Sequence, residues 1–440
     1  MFKTFINALK IKDIRKKLLF TFLMLVVIRI GSQLPVPGVN RDYFSQWFAA
    51  QSGDAFSFFD AFTGGSFTRM SIFALNITPY ITSSIIMQLL TIAIPKLEEM
   101  NKEEDGRKTI ASITRYVTVA LALIESTAMA IGFGKQGLLD SANFTAINII
   151  TIIVAMTAGS AFLMWIGERI TENGVGNGIS IVLIINIISR LPADIKTLYS
   201  QFVSSAANVG KAVVAAVIIL AVILLTIVLV VLLNGGVRKI PVQYAKKVQG
   251  NRMVGGNNSN IPLRINTAGV MPIIFASSLM QFPVVICSLF GVNEGTGIWF
   301  HIIKALQSSY WFNKETPLYS LGLLLYIILC VFFAYFYTSI TFNPMLVSDN
   351  MKKSGGFIPG IRPGKPTTEY LSNVLNYIIF MGAVGLIIVA VIPFFFNGVF
   401  KAEVSFGGTS LIIIVSVVLE TMRQIETMMV ERNYKGFLDA

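Results

Sequence analysis

The chain has 440 residues, of which 54% are hydrophobic and only 13% charged, and its formal net charge is +12. A soluble domain of this size carries roughly twice that share of charge, and apolar runs long enough to cross about 30 Å of hydrocarbon recur along the whole length. These features exclude a water-soluble globular protein. The absence of short alternating segments excludes a β-barrel, so the fold class is an all-α polytopic membrane protein.

Residues 2–14 (FKTFINALKIKDI) read as an amphipathic helix lying on the membrane surface. A basic flank (Lys10, Lys12, Arg15, Lys16, Lys17) then leads into LLFTFLMLVVIRIGSQL. No small-residue cleavage pattern follows, and Arg29 interrupts the run, so it reads as a retained first span rather than a signal peptide. Ten spans are expected, at about 18–36, 71–94, 111–133, 147–167, 178–198, 212–233, 267–290, 318–342, 371–395 and 409–429.

Between the first two spans lies FFDAFTGGSFTRM (58–70), apolar but too short to cross. Non-helical backbone at membrane depth is tolerated only inside protein or beside a water-filled cavity. The segment is expected to dip in from outside, turn at Gly64-Gly65 and return into the second span. An external amphipathic loop packed on the helix ends is the alternative.

Charge fixes the orientation. Of the 35 Lys and Arg, 25 fall in the N-terminus, the segments 95–116, 168–172, 234–264 and 348–369, and the C-terminal end. By the positive-inside rule both termini are cytoplasmic. Two of these segments are elaborate. The loop at 235–264 has a strand-like run, RKIPVQYA, then a basic cluster and a Gly/Asn turn, and is expected to project as a hairpin. The loop at 349–367 is rich in Pro and Gly, which argues against a helix, and presents Arg362 on a constrained turn. Both surfaces suit acidic partners, protein or RNA.

The second and seventh spans are interrupted alike. NITPYITSS holds Asn76, Pro79, Ser83 and Ser84, and NTAGVMPIIFASS holds Asn266, Pro272, Ser277 and Ser278. Broken helices at corresponding positions suggest two inverted halves, 1–200 and 201–440, with the working site between them. Polar groups in such spans must find partners inside the bundle. Asn76, Thr78, Ser83, Ser84 and Gln88 are therefore expected to face Asn266, Thr267, Ser277 and Ser278 across a polar seam that opens as a gate.

Catalytic and nucleotide motifs are missing. There is no G-x-x-x-x-G-K-[ST], G-x-S-x-G or H-E-x-x-H, and the Gly-rich stretch 174–178 has the wrong spacing for a phosphate loop. The two cysteines, Cys287 and Cys330, lie inside apolar runs, and His301 has no Cys, Asp or Glu at ligand spacing, so neither a disulfide framework nor a metal site is expected. Glu125 is a lone carboxylate well inside a span, too little for an ion-coupled transporter. The expectation is a passive, gated pathway, not an enzyme, with no cofactor. A solute transporter and a membrane scaffold are the competing readings.

The stretches ALNITPYITSSIIMQLL (74–90), GERITENGVGNGISI (167–181), INTAGVMPIIFASS (265–278), SGGFIPGIRPGKPT (354–367) and FGGTSLIIIVSV (406–417) resemble the SecY/Sec61-alpha family of protein-conducting channels. The resemblance implies a clamshell of two pseudo-symmetric halves, spans 1–5 and 6–10, in the bacterial cytoplasmic membrane. It would pass unfolded secretory polypeptides through its centre and release transmembrane segments sideways into lipid. It implies a pore ring, carried over as Ile77, Ile81, Val175, Ile179, Ile274 and Ile413. It implies a short re-entrant plug helix at about 58–70, with Phe59, Phe62, Gly64, Gly65, Phe67 and Arg69. The lateral gate would lie between spans 2–3 and 7–8, matching the expected seam. Docking would use Arg362, Lys246, Lys247, Arg252, Lys352 and Lys353. The implied partners are the SecE and SecG subunits, the SecA motor ATPase, the ribosome, signal sequences and precursor polypeptides, and membrane lipids.

Overall fold

The computed structural model describes residues 2–39, 44, 60, 63–135, 145–204, 209–244, 247–249, 252–254, 258–289, 298–307, 310–311, 317–400 and 408–438. The N-terminal helix α1 (Phe2–Lys10) and the first long helix α2 (Lys12–Gly31) are separated by Ile11, whose backbone is extended. The bundle continues with α3 (Thr78–Ala93), α4 (Pro95–Lys102), α5 (Glu104–Lys135), α6 (Ala146–Asn173), α7 (Gly178–Leu198) and α8 (Val209–Gly235). A π-helical turn, Tyr199–Ser204, extends α7 and packs against α8. After a hairpin come α9 (Met271–Leu289), α10 (Ile298–Leu306), α11 (Leu321–Thr341), α12 (Pro344–Lys353), α13 (Lys365–Phe400) and α14 (Gly408–Leu438).

Ten of the described helices have 16 or more residues, and they fall on the ten expected spans. By length and composition alone six segments among the described residues are apolar enough to cross a membrane, or seven if α3 and α4 are taken as one bent span. That pair bends by 103° at Ile94-Pro95. A proline opening a helix has no N–H to lose there and forces the preceding residue out of the helical region, as the extended Ile94 shows.

Several expected boundaries move. The first span starts at Lys12 and ends at Gly31, so it begins and ends earlier than expected. The second starts at Thr78, not near 71: residues 64–77 run as successive turns, and Met70 (φ 42°) and Asn76 (φ 53°) adopt the left-handed conformation. Asn tolerates that region; a long side chain such as Met does so only where its surroundings hold it. Finally, residues 349–353 of the second elaborate loop are helical, as the end of α12, whose first turn is capped by the Asn343 side chain. The Pro/Gly content that argued against a helix lies after that point.

The two elaborate loops join in one sheet. Strand β1 (Val237–Tyr244) pairs antiparallel with β4 (Asn258–Arg264), and β5 (Gly356–Phe357) pairs with the end of β1, giving the order β4-β1-β5. The hairpin tip is a second antiparallel pair, β2 (Lys247–Gln249) with β3 (Arg252–Val254). Alternate residues of β1, Ile240 and Val242, are buried with Leu263, Met351, Ile358, Leu371, Val374 and Ile378. Period-two burial on β1 therefore welds the hairpin to α12 and α13.

One apolar core runs through the centre of the bundle and draws on α2, α3, α6, α7, α8, α9, α11, α13 and α14. A second, around Phe67, Met70, Leu75, Met129, Phe133 and Met156, seats the 63–77 segment against α5 and α6. Ala8, Ile14, Val175 and Ile425 form a smaller cluster that brings the N-terminal helix, the turn before α7 and the late turns of α14 to one end of the molecule. The sheet is at that same end, since Asn177, Asn234, Arg264 and Arg423 line one cavity.

Candidate functional site

Directions of the helices follow from three bonds. Ser160 Oγ on α6 donates to the carbonyl of Asn76 (3.0 Å), just ahead of α3. Ser83 Oγ, further along α3, donates to the Thr114 carbonyl of α5 (2.8 Å). Arg115 on α5 pairs with Glu168 near the end of α6 (2.8 Å). Helices α3 and α6 thus run together toward the sheet end, and α7, which starts there, runs back past them.

Against that frame the six ring residues divide. Ile77, Ile81, Ile274 and Ile413 are all buried in the central core, and Ile179 packs on it from α7. Val175 does not join them. It lies before α7 begins, in the cluster with Ala8, Ile14 and Ile425, and its N–H donates to Thr21 Oγ1 on α2 (3.1 Å). Asn186, which bonds Asn76, is eight residues beyond Gly178, about 12 Å of helical rise, and Val175 is further off still. One turn along α3 from Ile77 comes Ile81; the matching step back along α7 from Asn186 reaches Leu183. Leu183 is buried in the central core and shares a face with Ile179, four residues before it. The periodic apolar run of α7 carried this residue in the sequence, but only the level of the Asn76–Asn186 bond picks it out.

The expected ring positions other than Val175 thus lie in or against the central apolar core, on or beside α3, α7, α9 and α14, and Leu183 lies there with them. Helix α9 packs against α3 and α5, and α14 against α7.

The expected polar seam across α3 and α9 is not what these residues form. Asn186 Nδ2 donates to Asn76 Oδ1 (2.9 Å), which ties the start of α3 to α7. Asn266 Nδ2 donates to Asn234 Oδ1 (2.8 Å), and Asn234 Nδ2 donates to Ser416 Oγ (2.7 Å), which ties the start of α9 to α8 and α14. Ser83 turns to α5. Gln88 donates to Ser84 of its own helix (3.2 Å) and Thr267 to the Arg264 carbonyl (2.7 Å). Ser277 is buried and Ser278 half-buried on α9. A buried amide without a partner costs about 1–3 kcal/mol, and the nearest partners lie on the same side of the α3–α9 contact. The two helices meet inside the central apolar core, which takes in Ile77, Ile81 and Ile85 from one and Ile273 and Ile274 from the other, while Phe275 packs edge-on to Phe333 and Tyr337 of α11.

The 63–77 segment packs against α5, α6 and α7 at the end of the bundle away from the sheet. Gly64 (φ 67°) and Gly65 (φ 81°) make the expected turn. A Cβ at Gly64 would meet the Asn186 carbonyl oxygen at 2.6 Å, so glycine allows the backbones of this turn and α7 to touch. Phe67 is fully buried, edge-on to Phe44. Arg69 is exposed and donates to Gln33 Oε1. Phe59 and Phe62 lie outside the described residues. Three residues that the sequence reading did not single out complete the seat: Asp60, Ser189 and Arg190. Asp60 has no exposed surface and is ion-paired with Arg190. A polar stripe of Asn186, Ser189 and Arg190 on an otherwise apolar helix was the available signal.

At the sheet end, Asn177, Ser180, Asn234, Arg264, Asn266, Ser416, Glu420 and Arg423 line a polar cavity of about 120 Å³. Arg362 is exposed between Gly360 (φ 83°) and Gly364 (φ 102°), and its carbonyl accepts from Thr367 Oγ1 (2.8 Å), which fixes the turn. Lys352 and Lys353 are exposed in the last turn of α12. Lys247 and Arg252 stand in the paired strands at the hairpin tip, while Lys246 lies outside the described residues. Among the described residues, no group of three His, Cys, Asp or Glu comes together to hold a metal.

The SecY family model matches residues 71–422. Similar curated proteins include the protein translocase subunit SecY of Halalkalibacterium halodurans, 41% identical, and that of Bacillus subtilis, 40% identical, each aligned over the whole of both chains. Among solved structures, a protein conducting channel superposes with a TM-score of 0.65 at 18% identity, covering 94% of this chain and 92% of that one. A SecY protein whose plug domain stabilises the closed state of its channel superposes at 0.63, with 19% identity and the same coverage. Canine Sec61 from a ribosome-channel complex also superposes at 0.63, with 17% identity over 94% and 92%. Matched end to end by relatives of this kind, the chain belongs to the SecY family.

Proposed function

We propose that the chain is the channel-forming subunit of a protein translocase in the bacterial cytoplasmic membrane. It passes unfolded polypeptides through its centre and lets apolar segments leave sideways into lipid. The observation that carries this reading is the collar: Ile77, Ile81, Ile274 and Ile413 buried together, with Leu183 and Ile179 on α7. Leu183 takes the place first given to Val175. An aliphatic constriction sheds water and so resists ions without a filter, and flexible side chains can mould around a threading chain. The turn at 63–77 lies on one side of the collar and the polar cavity on the other, as a plug and a vestibule would.

The lateral gate in this reading is the α3–α9 contact, closed by aliphatic side chains rather than by a polar seam. Parting it exposes apolar surface to lipid or to an apolar guest at little loss, because hydrocarbon replaces hydrocarbon. A guest helix partitions outward with about 0.8 kcal/mol per buried CH₂. The asparagine ties stay within each half, 1–200 or 201–440, so the halves can separate without breaking them.

SecE and SecG are proposed as companion subunits, and SecA or the ribosome as the source of work. The sheet with Arg362, Lys352 and Lys353 is their docking surface, at the cytoplasmic end with both termini. Welding the hairpin to α12 and α13 gives such partners one stiff handle.

The collar is tested by making it wet. The double variant Ile81→Ser with Ile274→Ser should raise idle ion conductance in planar bilayers at least several-fold and relax the requirement for a strong signal sequence. An unchanged conductance would remove the collar from the seal.

A further inference from the structure

One face of α7 meets the re-entrant segment through Asn186, Ser189 and Arg190, three and four residues apart. The Asn186 backbone touches Gly64. Ser189 Oγ donates to the Asn186 carbonyl at 2.7 Å with the Gly64 carbonyl at 3.3 Å, and accepts from the Arg29 guanidinium of α2 at 2.9 Å. Arg190 is ion-paired with Asp60. The other oxygen of that carboxylate accepts from Thr68 N and Thr68 Oγ1, both at 2.9 Å, so Asp60 also folds the segment about itself. Arg190 has a second carboxylate in reach: its Nε is 3.5 Å from Asp194 Oδ1, one turn further along α7. The Asp60 side chain has no exposed surface, against 22% for Arg190 and 11% for Asp194.

We propose that Arg190 is a latch for the seal, holding Asp60 while the re-entrant segment is seated and passing to Asp194 when the segment leaves. The proposal rests on reading that segment as the plug of a channel. Burying a charge apart from its partner is strongly unfavourable. Asp60 can leave only toward water, and Arg190, fixed on α7, then needs another anion. Asp194, already within ion-pair distance of Arg190 Nε, supplies it with no movement of the helix. Of the other cations nearby, Arg29 donates to Ser189 and Arg69 to Gln33, so they hold the seat rather than the carboxylate. The pair thus gives a closed state that is specific, and the third charge keeps it reversible.

The exchange makes the two acids act with opposite sign. In inverted membrane vesicles from cells expressing the full chain, Asp60→Asn and Arg190→Gln should each raise the idle ion leak by about tenfold. Arg190→Lys, which keeps the charge, should stay near the parent. Asp194→Asn should leave the leak no higher than the parent and slow precursor transport several-fold, because Arg190 then keeps Asp60 and loses the carboxylate that would receive it. Size-exclusion chromatography in detergent separates misfolded variants from these effects. If Asp60→Asn and Arg190→Gln fold and are as tight as a parent that transports precursor, the latch is wrong and the channel reading stands. If Asp194→Asn leaks like Asp60→Asn, the three charges merely fold the segment and the exchange is overturned. A parent that neither transports precursor nor conducts with precursor engaged would instead sink the channel reading itself.

Discussion

Asn76 shows how much one residue decides here. It holds a left-handed backbone (φ 53°), its carbonyl accepts from Ser160, and its side chain accepts from Asn186. The helix that follows cannot start until this turn is complete, because Pro79 sits in its first turn. Replacing Asn76 by alanine strands the Asn186 amide and leaves a backbone that alanine disfavours. We expect a loss of about 1–3 kcal/mol, read as a lower unfolding temperature in detergent; an unchanged temperature would mean the tie carries no load. The Asn–Pro–Ser order was legible in the sequence as a repeated flaw in two spans. Which way the amides point was not, since a hydrogen-bonding residue in lipid needs some partner but its sequence does not say on which side.

Among the elements, the helices were the most legible and the 63–77 segment the least. Long apolar runs force helix formation because lipid offers the backbone no other partner, and α7 appears at the expected 178–198. The segment between α2 and α3 was readable as a short apolar stretch that could not span. Its seat depends on contacts more than a hundred residues away, on Ser189 and Arg190; their polar stripe on α7 was visible in the sequence, but what it meets was not. Val175 lies outside the central core for the related reason that a Gly-rich turn gives no register, whereas the Asn76–Asn186 bond sets a level along α7. Glycine at the segment's turn is a steric necessity: Gly64→Ala places a Cβ 2.6 Å from the Asn186 oxygen at a positive φ. That variant should lift the segment off α7 and raise the idle leak, with the same vesicle measurement as its check. A tight Gly64→Ala channel would mean the segment seals without touching α7.

For the whole molecule, polar ties lie on either side of the apolar α3–α9 contact, and the charged sheet stands at one end. The ties (Asn76 to Asn186; Asn266 to Asn234 to Ser416) are contacts that are polar and directional. Those between α3 and α9 are chiefly apolar and non-directional, so they re-form after sliding or parting. The handle is separable from the seal. Arg362→Glu lies on an exposed turn and should leave folding and idle tightness intact while reducing motor-driven transport by about tenfold or more, as reversal of a docking charge does. Normal SecA-driven transport by that variant would detach Arg362 from docking. The charge bias along the loops was legible in the sequence, but the pairing of two distant loops into one sheet appears only in the fold.

The most direct test of the central claim is contact between the collar and a moving chain. A photoreactive residue at position 81 should cross-link to a secretory precursor stalled in mid-transport, and should fail to do so with the idle channel or with a precursor lacking its signal sequence. A stalled precursor that never cross-links from position 81, while transport proceeds, would contradict passage through the collar.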